Sequence, residues 1–254
     1  ALAGLFDGHV TGLLCNAMPD IPFGTEPAAV SVGLMTELQD EATRAGDVAE
    51  KTLREKLDRS GRPCELRRFD TYSGQVGALV AQHARANDVM VGLRPAAKAG
   101  QAEWAIEGAL FGGGRSILLF PPDCRPKDEY KTVLVGWSDT RESARALHEA
   151  TPFLLKAEQV VMVSVDQGGS PEQDRTEPSA DIARHLGRLG LRTEIRHVTG
   201  WDNVGEALLN ECRMAGADLL VTGAYGHSKF REWAVGGTTR HLMKKAPLPL
   251  MMAH

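Results

Sequence analysis

The sequence contains no apolar run approaching the roughly 20 residues that cross a bilayer, no Cys-x-x-Cys pair and no surplus of positive charge. The first absence argues against a helical membrane span, and the opening residues do not have the pattern of a signal peptide. The four cysteines, Cys15, Cys64, Cys124 and Cys212, are scattered. Scattered thiols read as the reduced cysteines of a cytoplasmic protein, not as a disulfide framework. The net charge is -4, and bases are interleaved with acids, as in Lys51, Arg54, Glu55, Lys56, Asp58 and Arg59. That mixture is a solvated helix face, and it argues against a nucleic-acid partner.

Catalytic patterns are also missing. No Ser/His/Asp order with a nucleophile elbow occurs, and His148, His185 and His197 fall on different elements without the spacing of a His-Glu-x-x-His metal site. No Gly-Lys-Ser/Thr triplet follows a glycine loop, and no compact Gly-x-Gly-x-x-Gly is present. The expectation is a protein that is not an enzyme.

What is present is an α/β pattern read twice, in a chain of 254 residues with 43% hydrophobic content, enough for one large or two small cores. In the second half, strands are expected at Thr132–Gly136, Val160–Val165, Thr193–Val198, Asp218–Thr222 and Leu248–Met252. Helices are expected over Arg141–Leu155, with Ala144, Leu147, Ala150 and Leu154 on one face, over Ile182–Leu189, from a cap at Asp202 to about Met214, and through Arg240 and Lys244. Asp166–Pro178 reads as a loop. The first half repeats this from its second strand: His9–Cys15, a long helix Ser31–Arg59, Cys64–Phe69, a helix Val76–Arg85, Asp88–Leu93, a helix around Trp104–Phe111, and Ser116–Phe120. Ala1–Gly8 reads as the end of a first helix with its glycine stop, so the strand before it is expected to be missing from the chain. The Pro-rich stretch Pro121–Asp128 divides the halves, giving domains 1–121 and 129–254.

The most specific feature is Gly223-Ala224-Tyr225-Gly226, then nine residues, then Gly236-Gly237-Thr238-Thr239, all following the apolar strand Asp218–Thr222. Glycines at the carboxyl end of a parallel strand let backbone N–H groups approach an anion, and threonine hydroxyls add donors. The spacing resembles the Gly-x2-Gly-x9-Gly-(Ser/Thr) motif of the universal stress protein family. Gly223, Gly226 and Gly236 match its glycines, Gly237 stands at the Ser/Thr place, and Thr238 and Thr239 follow at once.

With its double pattern, the chain resembles a tandem universal stress protein. That resemblance implies two doubly wound, five-stranded parallel-sheet domains of the adenine nucleotide alpha hydrolase-like type, the first without its first strand. It implies a stress-response or regulatory function with ATP and its Mg²⁺ as ligand. It also implies that Ser116–Phe120 and Leu248–Met252 pair, within one chain or between the chains of a homodimer; either would cover two apolar edges.

The implied cofactor-binding set in the second half is Gly136, Trp137, Ser138, Asp139, Val165, Thr222, Gly223, Gly226, His227, Gly236, Gly237, Thr238 and Thr239. Ser138 stands where ATP-binding relatives have an aspartate, and Asp139 is one residue late; a serine brings one hydrogen bond without the charge. Asp139 reads equally as a helix cap, Trp137 as a stacking surface or as packing, and Val165 as a pocket wall or core. His227, with Ser228 and Lys229, adds charge to a phosphate or points to solvent, and Arg240 and His241 read as surface residues. The first half ends its corresponding strand in Leu93-Arg94-Pro95, and Pro95 lacks the N–H a cradle needs. Gly112-Gly113-Gly114 reads as a helix stop, so the first half is expected to be structural. The alternative is an interaction scaffold in which the motif is only a tight turn. A hydrolase of the related fold is a weaker third reading, because no Ser-Gly-Gly-x-Asp loop is present.

Overall fold

The structure, a computed structural model, describes residues 1–20, 32–95, 100–125, 127–166, 173–225 and 237–254. They fall into two compact units, Ala1–Val80 and Ala81–His254.

The first unit holds α1 (Leu2–Phe6), β1 (Val10–Ala17), α2 (Val32–Asp58) and β2 (Cys64–Thr71), followed by a short turn of helix at Ser73–Gln75. Asp7, not Gly8, closes α1, in a left-handed conformation with φ 49°. β1 and β2 pair in parallel from Val10 opposite Cys64 to Ala17 opposite Thr71. Asn16 Nδ2 donates to Asp70 Oδ1 at 2.6 Å across the pair. Arg68 gathers Asp47, Glu50 and Asp70 at 2.5, 3.3 and 3.0 Å. The Asn16 hydrogen bond, acting against burial and helped by Arg68, holds the Asp70 carboxyl below the usual carboxylate range.

The units divide within α3 (Val76–Ala84). The second then runs through β3 (Val89–Leu93), α4 (Gln101–Glu107) with a wide π turn at Gly108–Gly112, β4 (Ser116–Phe120), β5 (Thr132–Gly136), α5 (Arg141–Leu154) and β6 (Gln159–Val165). It continues through α6 (Gln173–Arg188), β7 (Thr193–Val198), α7 (Val204–Ala215), β8 (Leu219–Gly223), α8 (Gly237–Lys245) and β9 (Leu250–Ala253). Among the described residues its sheet has seven strands in the order β3-β4-β9-β8-β5-β6-β7. Only the β4–β9 pair in that sheet is antiparallel, with Leu118 opposite Met251.

The central strands carry near-continuous apolar runs because helices cover both faces of a parallel sheet. Leu118, Leu134, Val161, Leu220 and Met252 are fully buried. Each such side chain contributes roughly 1.5–3 kcal/mol of transfer free energy.

The second half has the expected five parallel strands, β7-β6-β5-β8-β9. The first half differs from expectation. Its four strands share no single sheet: β1 and β2 stand alone, while β3 and β4 extend the sheet of the second half. The reason is the hydrogen-bond ladder. In the second half β5 fills the centre and pairs on both sides, with β6 and with β8. The first half shows no such strand among the described residues, so its two strand pairs have no shared neighbour. The compact units therefore divide within α3, while the sequence repeat divides at 121–128. The expected edge pairing occurs within the chain, through Ile117, Leu118 and Leu119 against Met252, Met251 and Leu250.

Smaller differences concern helix starts. Thr140, not Asp139, caps α5 by accepting from the Ser143 N–H. Asn203, not Asp202, caps α7 by accepting from Gly205 and Glu206. α6 begins at Gln173, inside the stretch read as a loop.

Candidate functional site

β5 is the switch point of the winding, with β6 on one side and β8 on the other. Crevices for ligands open at the carboxyl ends of strands at such a point. Most of the candidate residues lie at these ends.

At the end of β5, Gly136 is buried, and an added Cβ would come within 3.0 Å of Leu208 on α7. The glycine is there for helix packing. Trp137 donates its backbone N–H to Val163 O at 2.8 Å. Its ring is only 7% exposed, and its Nε1 is buried with no hydrogen-bond partner among the described residues. Ser138 and Asp139 are exposed. The Ser138 hydroxyl lies 2.9 Å from Ser143 Oγ and so is engaged with the first turn of α5. Val165 is half-buried at the end of β6, opposite Val198.

At the end of β8, Thr222 is buried and donates its hydroxyl to the Gly223 carbonyl at 3.1 Å. A Cβ on Gly223 would lie 2.6 Å from the Ser143 nitrogen and 2.8 Å from the Glu142 carbonyl carbon. The first glycine of the motif thus admits the α5 backbone against β8. Glu142 is buried there beside Arg141. Burial opposes its ionisation, but the hydrogen bonds from Arg141 and from its own amide outweigh this and lower its pKa. An ionised carboxylate in the first turn also suits the helix dipole.

Ala224 follows, fully buried, and then Tyr225 takes the left-handed conformation at φ 59°. That geometry is uncommon for a bulky residue and needs support. Tyr225 N–H donates to Thr239 Oγ1 at 3.2 Å, and Thr239 is buried. Thr239 therefore ties the first turn of α8 to the start of the loop. The Tyr225 ring packs on Phe111, centroids 5.0 Å apart, and Phe111 meets His254 edge-on at 4.8 Å. His254 Nδ1 lies 3.0 Å from the Ala224 carbonyl oxygen. Burial, followed by the nearby Glu107 carboxylate, raises the Tyr225 hydroxyl pKa. Phe111 comes from the π turn of the first half and His254 from beyond β9, so no spacing rule could have joined them to the motif.

Gly226, His227 and Gly236 lie outside the described residues. Gly237 opens α8, exposed, and an added Cβ would meet nothing within 4 Å among the described residues. It and Thr238 line a cavity of about 350 Å³ together with Trp201, Asp202, Asn203 and Val204 from the start of α7. Asn203 Nδ2 lies 3.4 Å from His241 Nδ1, and Gly205 would clash with His241 if it had a Cβ. His241, read from sequence as a surface residue, helps hold α7 against α8. Trp201 and Asp202 were missed as wall residues; the sequence marks them only as the approach to a helix start. Among the described residues no group of three or more His, Cys, Asp or Glu side chains could hold a metal ion, and no helix is long and apolar enough to cross a membrane.

The sequence profile of the Universal stress protein family matches residues 129–254. A universal stress protein of Synechocystis sp. is 30% identical over 66 residues, a match that spans 26% of this chain and 22% of that protein. Among solved structures, a universal stress protein from Archaeoglobus fulgidus DSM 4304 superposes with a TM-score of 0.72 at 16% identity, over 98% of this chain and 89% of that one. A functionally unknown protein from Pseudomonas aeruginosa PAO1 gives 0.53 at 12% identity, over 100% and 94%. At such identities the structural likeness speaks to the fold alone, and it agrees with the α/β architecture. Residues 129–254, whose sequence matches the profile and whose five strands carry the fold, belong to the universal stress protein family.

Proposed function

We propose that the second half binds an adenine nucleotide, ATP carried with its Mg²⁺, and that the bound state regulates association with other proteins under stress. The observation that carries this reading is Gly237, which opens α8 at the wall of the cavity and where an added Cβ would meet none of the described residues within 4 Å. The first N–H groups of a helix lack intrahelical partners and the helix dipole favours an anion there. Gly237, Thr238 and Thr239 supply those amides, and the Thr238 hydroxyl adds a donor. The Nε1 of Trp137, buried at the end of β5 without a partner among the described residues, is a further candidate donor. Ser138, engaged with Ser143, gives that strand end little charge.

The reading is of a binder and not an enzyme, supported by the structural partners that the Ser138 and Thr239 hydroxyls already have. A cytoplasmic location is supported by Cys15, Cys64, Cys124 and Cys212, none of which forms a disulfide among the described residues. Calorimetry with ATP and Mg²⁺ tests the proposal. The expected result is one site per chain, weakened at least about tenfold by Gly237→Asp through charge repulsion, with an unchanged melting temperature. No heat at millimolar ATP would overturn it.

A second reading, an interaction scaffold in which the motif is a tight structural turn, is favoured by Gly223 and Thr239. Both have packing roles that need no ligand. The same titration separates the two.

A further inference from the structure

β3 and β8 end in the same way. Leu93 pairs with Phe120, and the next residue, Arg94, donates its N–H to Phe120 O at 2.7 Å. Gly223 pairs with Ala253, and the next residue, Ala224, donates its N–H to Ala253 O at 2.9 Å. Arg94 thus occupies the station of Ala224, and Pro95 that of Tyr225. Where the second half places a buried methyl group, the first places a guanidinium. Its Nε and Nη1 are buried and have no hydrogen-bond partner among the described residues.

Such a group is costly as it stands. The buried nitrogens, Nε and Nη1, carry three of the five N–H donors of the side chain, and buried donors without partners cost free energy. The next residues in sequence, Ala96, Ala97, Lys98 and Ala99, include no acid. Pro95 has no N–H and a fixed negative φ, so a backbone cradle of the kind proposed for the second half is impossible here. A side-chain donor can replace it.

We propose that Arg94 anchors an anion site in the first half, taking a phosphate group, either as inorganic phosphate or on a small phosphorylated molecule. The charge-assisted hydrogen bonds of Nε and Nη1 would hold it, at the carboxyl end of a parallel strand where ligands collect. The choice of phosphate over another oxyanion rests on the nucleotide reading of the matching station after β8. The existence of the site does not.

The test is thermal melting of the full chain against inorganic phosphate, AMP and acetate, in wild type, Arg94→Met, Arg94→Lys and Gly237→Asp. In wild type and in Gly237→Asp, about 10 mM phosphate is expected to raise the melting temperature by about 3 °C. The rise should vanish in Arg94→Met and shrink in Arg94→Lys, which keeps the charge but not the planar donor set. In phosphate-free buffer Arg94→Met should melt at or above wild type, because two buried nitrogens without partners have gone. In Gly237→Asp, where the second-half site is disabled, a larger rise with AMP than with phosphate assigns the ligand to phosphorylated molecules, and an equal rise to the free ion. The proposal is overturned by a phosphate response that Arg94→Met retains, by no response in wild type, or by an equal response to acetate. Because Gly237→Asp keeps this response while losing ATP, failure of one reading is distinguishable from failure of the other.

Discussion

After β8 the chain reads Gly223-Ala224-Tyr225, and at the matching station after β3 it reads Leu93-Arg94-Pro95. The backbones leave their strands through the same hydrogen bond to the neighbouring strand, so the difference lies in three side chains. Gly223 admits the first turn of α5 to within contact of β8, whereas Leu93 is 64% exposed. Tyr225 turns left-handed and spends its N–H on Thr239, whereas Pro95 has no N–H to spend. The same strand-end geometry thus carries a glycine and a left-handed tyrosine in one half and an arginine and a proline in the other.

The largest expected effect comes from making the β8 end resemble the β3 end. Gly223→Ala brings a methyl group against two backbone atoms that cannot swing away, and should cost about 3 kcal/mol of stability by urea denaturation. The reciprocal Leu93→Gly should cost less than about 1 kcal/mol, from backbone entropy, since the side chain is mostly solvated. Equal costs would mean that the two ends are packed alike.

Next is the entry to β8. Asp218 accepts from the N–H groups of Lys131 and Thr132 at 2.9 and 3.0 Å and pairs with Lys127. Burial acts to raise its pKa, but Lys127 and the two amides outweigh it, so the folded value is depressed. A depressed carboxyl contributes stability above its unfolded pKa and loses it as pH falls through the folded one. Asp218→Asn should therefore cost about 2 kcal/mol at neutral pH and little in strong acid. The wild-type advantage should fade below about pH 4. A pH-independent difference would show that the charge is not what matters.

A smaller effect is expected at the aromatic contact that braces the motif. Phe111→Ala removes the ring lying against Tyr225 and His254, and should cost about 1 kcal/mol. If the brace also holds the loop in its binding form, ATP affinity should fall several-fold by calorimetry beyond what the stability change explains. An unchanged affinity would confine Phe111 to packing.

Much of this was legible locally. The strands Ser116–Phe120, Thr132–Gly136 and Thr193–Val198 run between the residues that their apolar or alternating patterns indicate, because a strand's burial pattern is written in its own side chains. Helix starts were one residue off at Asp139 and Asp202. Several cap-capable residues stand together there, and only backbone geometry selects which one reaches the free amides. In the site, the carboxyl ends of β5 and β8 were identifiable from strand–glycine junctions. The reasons for those glycines were not: Gly136 and Gly223 answer to Leu208 and to α5, while Gly237 faces open space. Phe111, His254 and Trp201 had no local mark at all.

By itself the sequence determined the repeated α/β pattern, the glycine spacing and membership of the family, because each depends on residues near one another in the chain. Tertiary structure decided which strands share a sheet, which glycine lies at a cavity wall, and that two nitrogens of a guanidinium in the first half are buried without a partner among the described residues. Those outcomes depend on what lies across a hydrogen-bond ladder or against a buried face, and such neighbours come from distant parts of the chain.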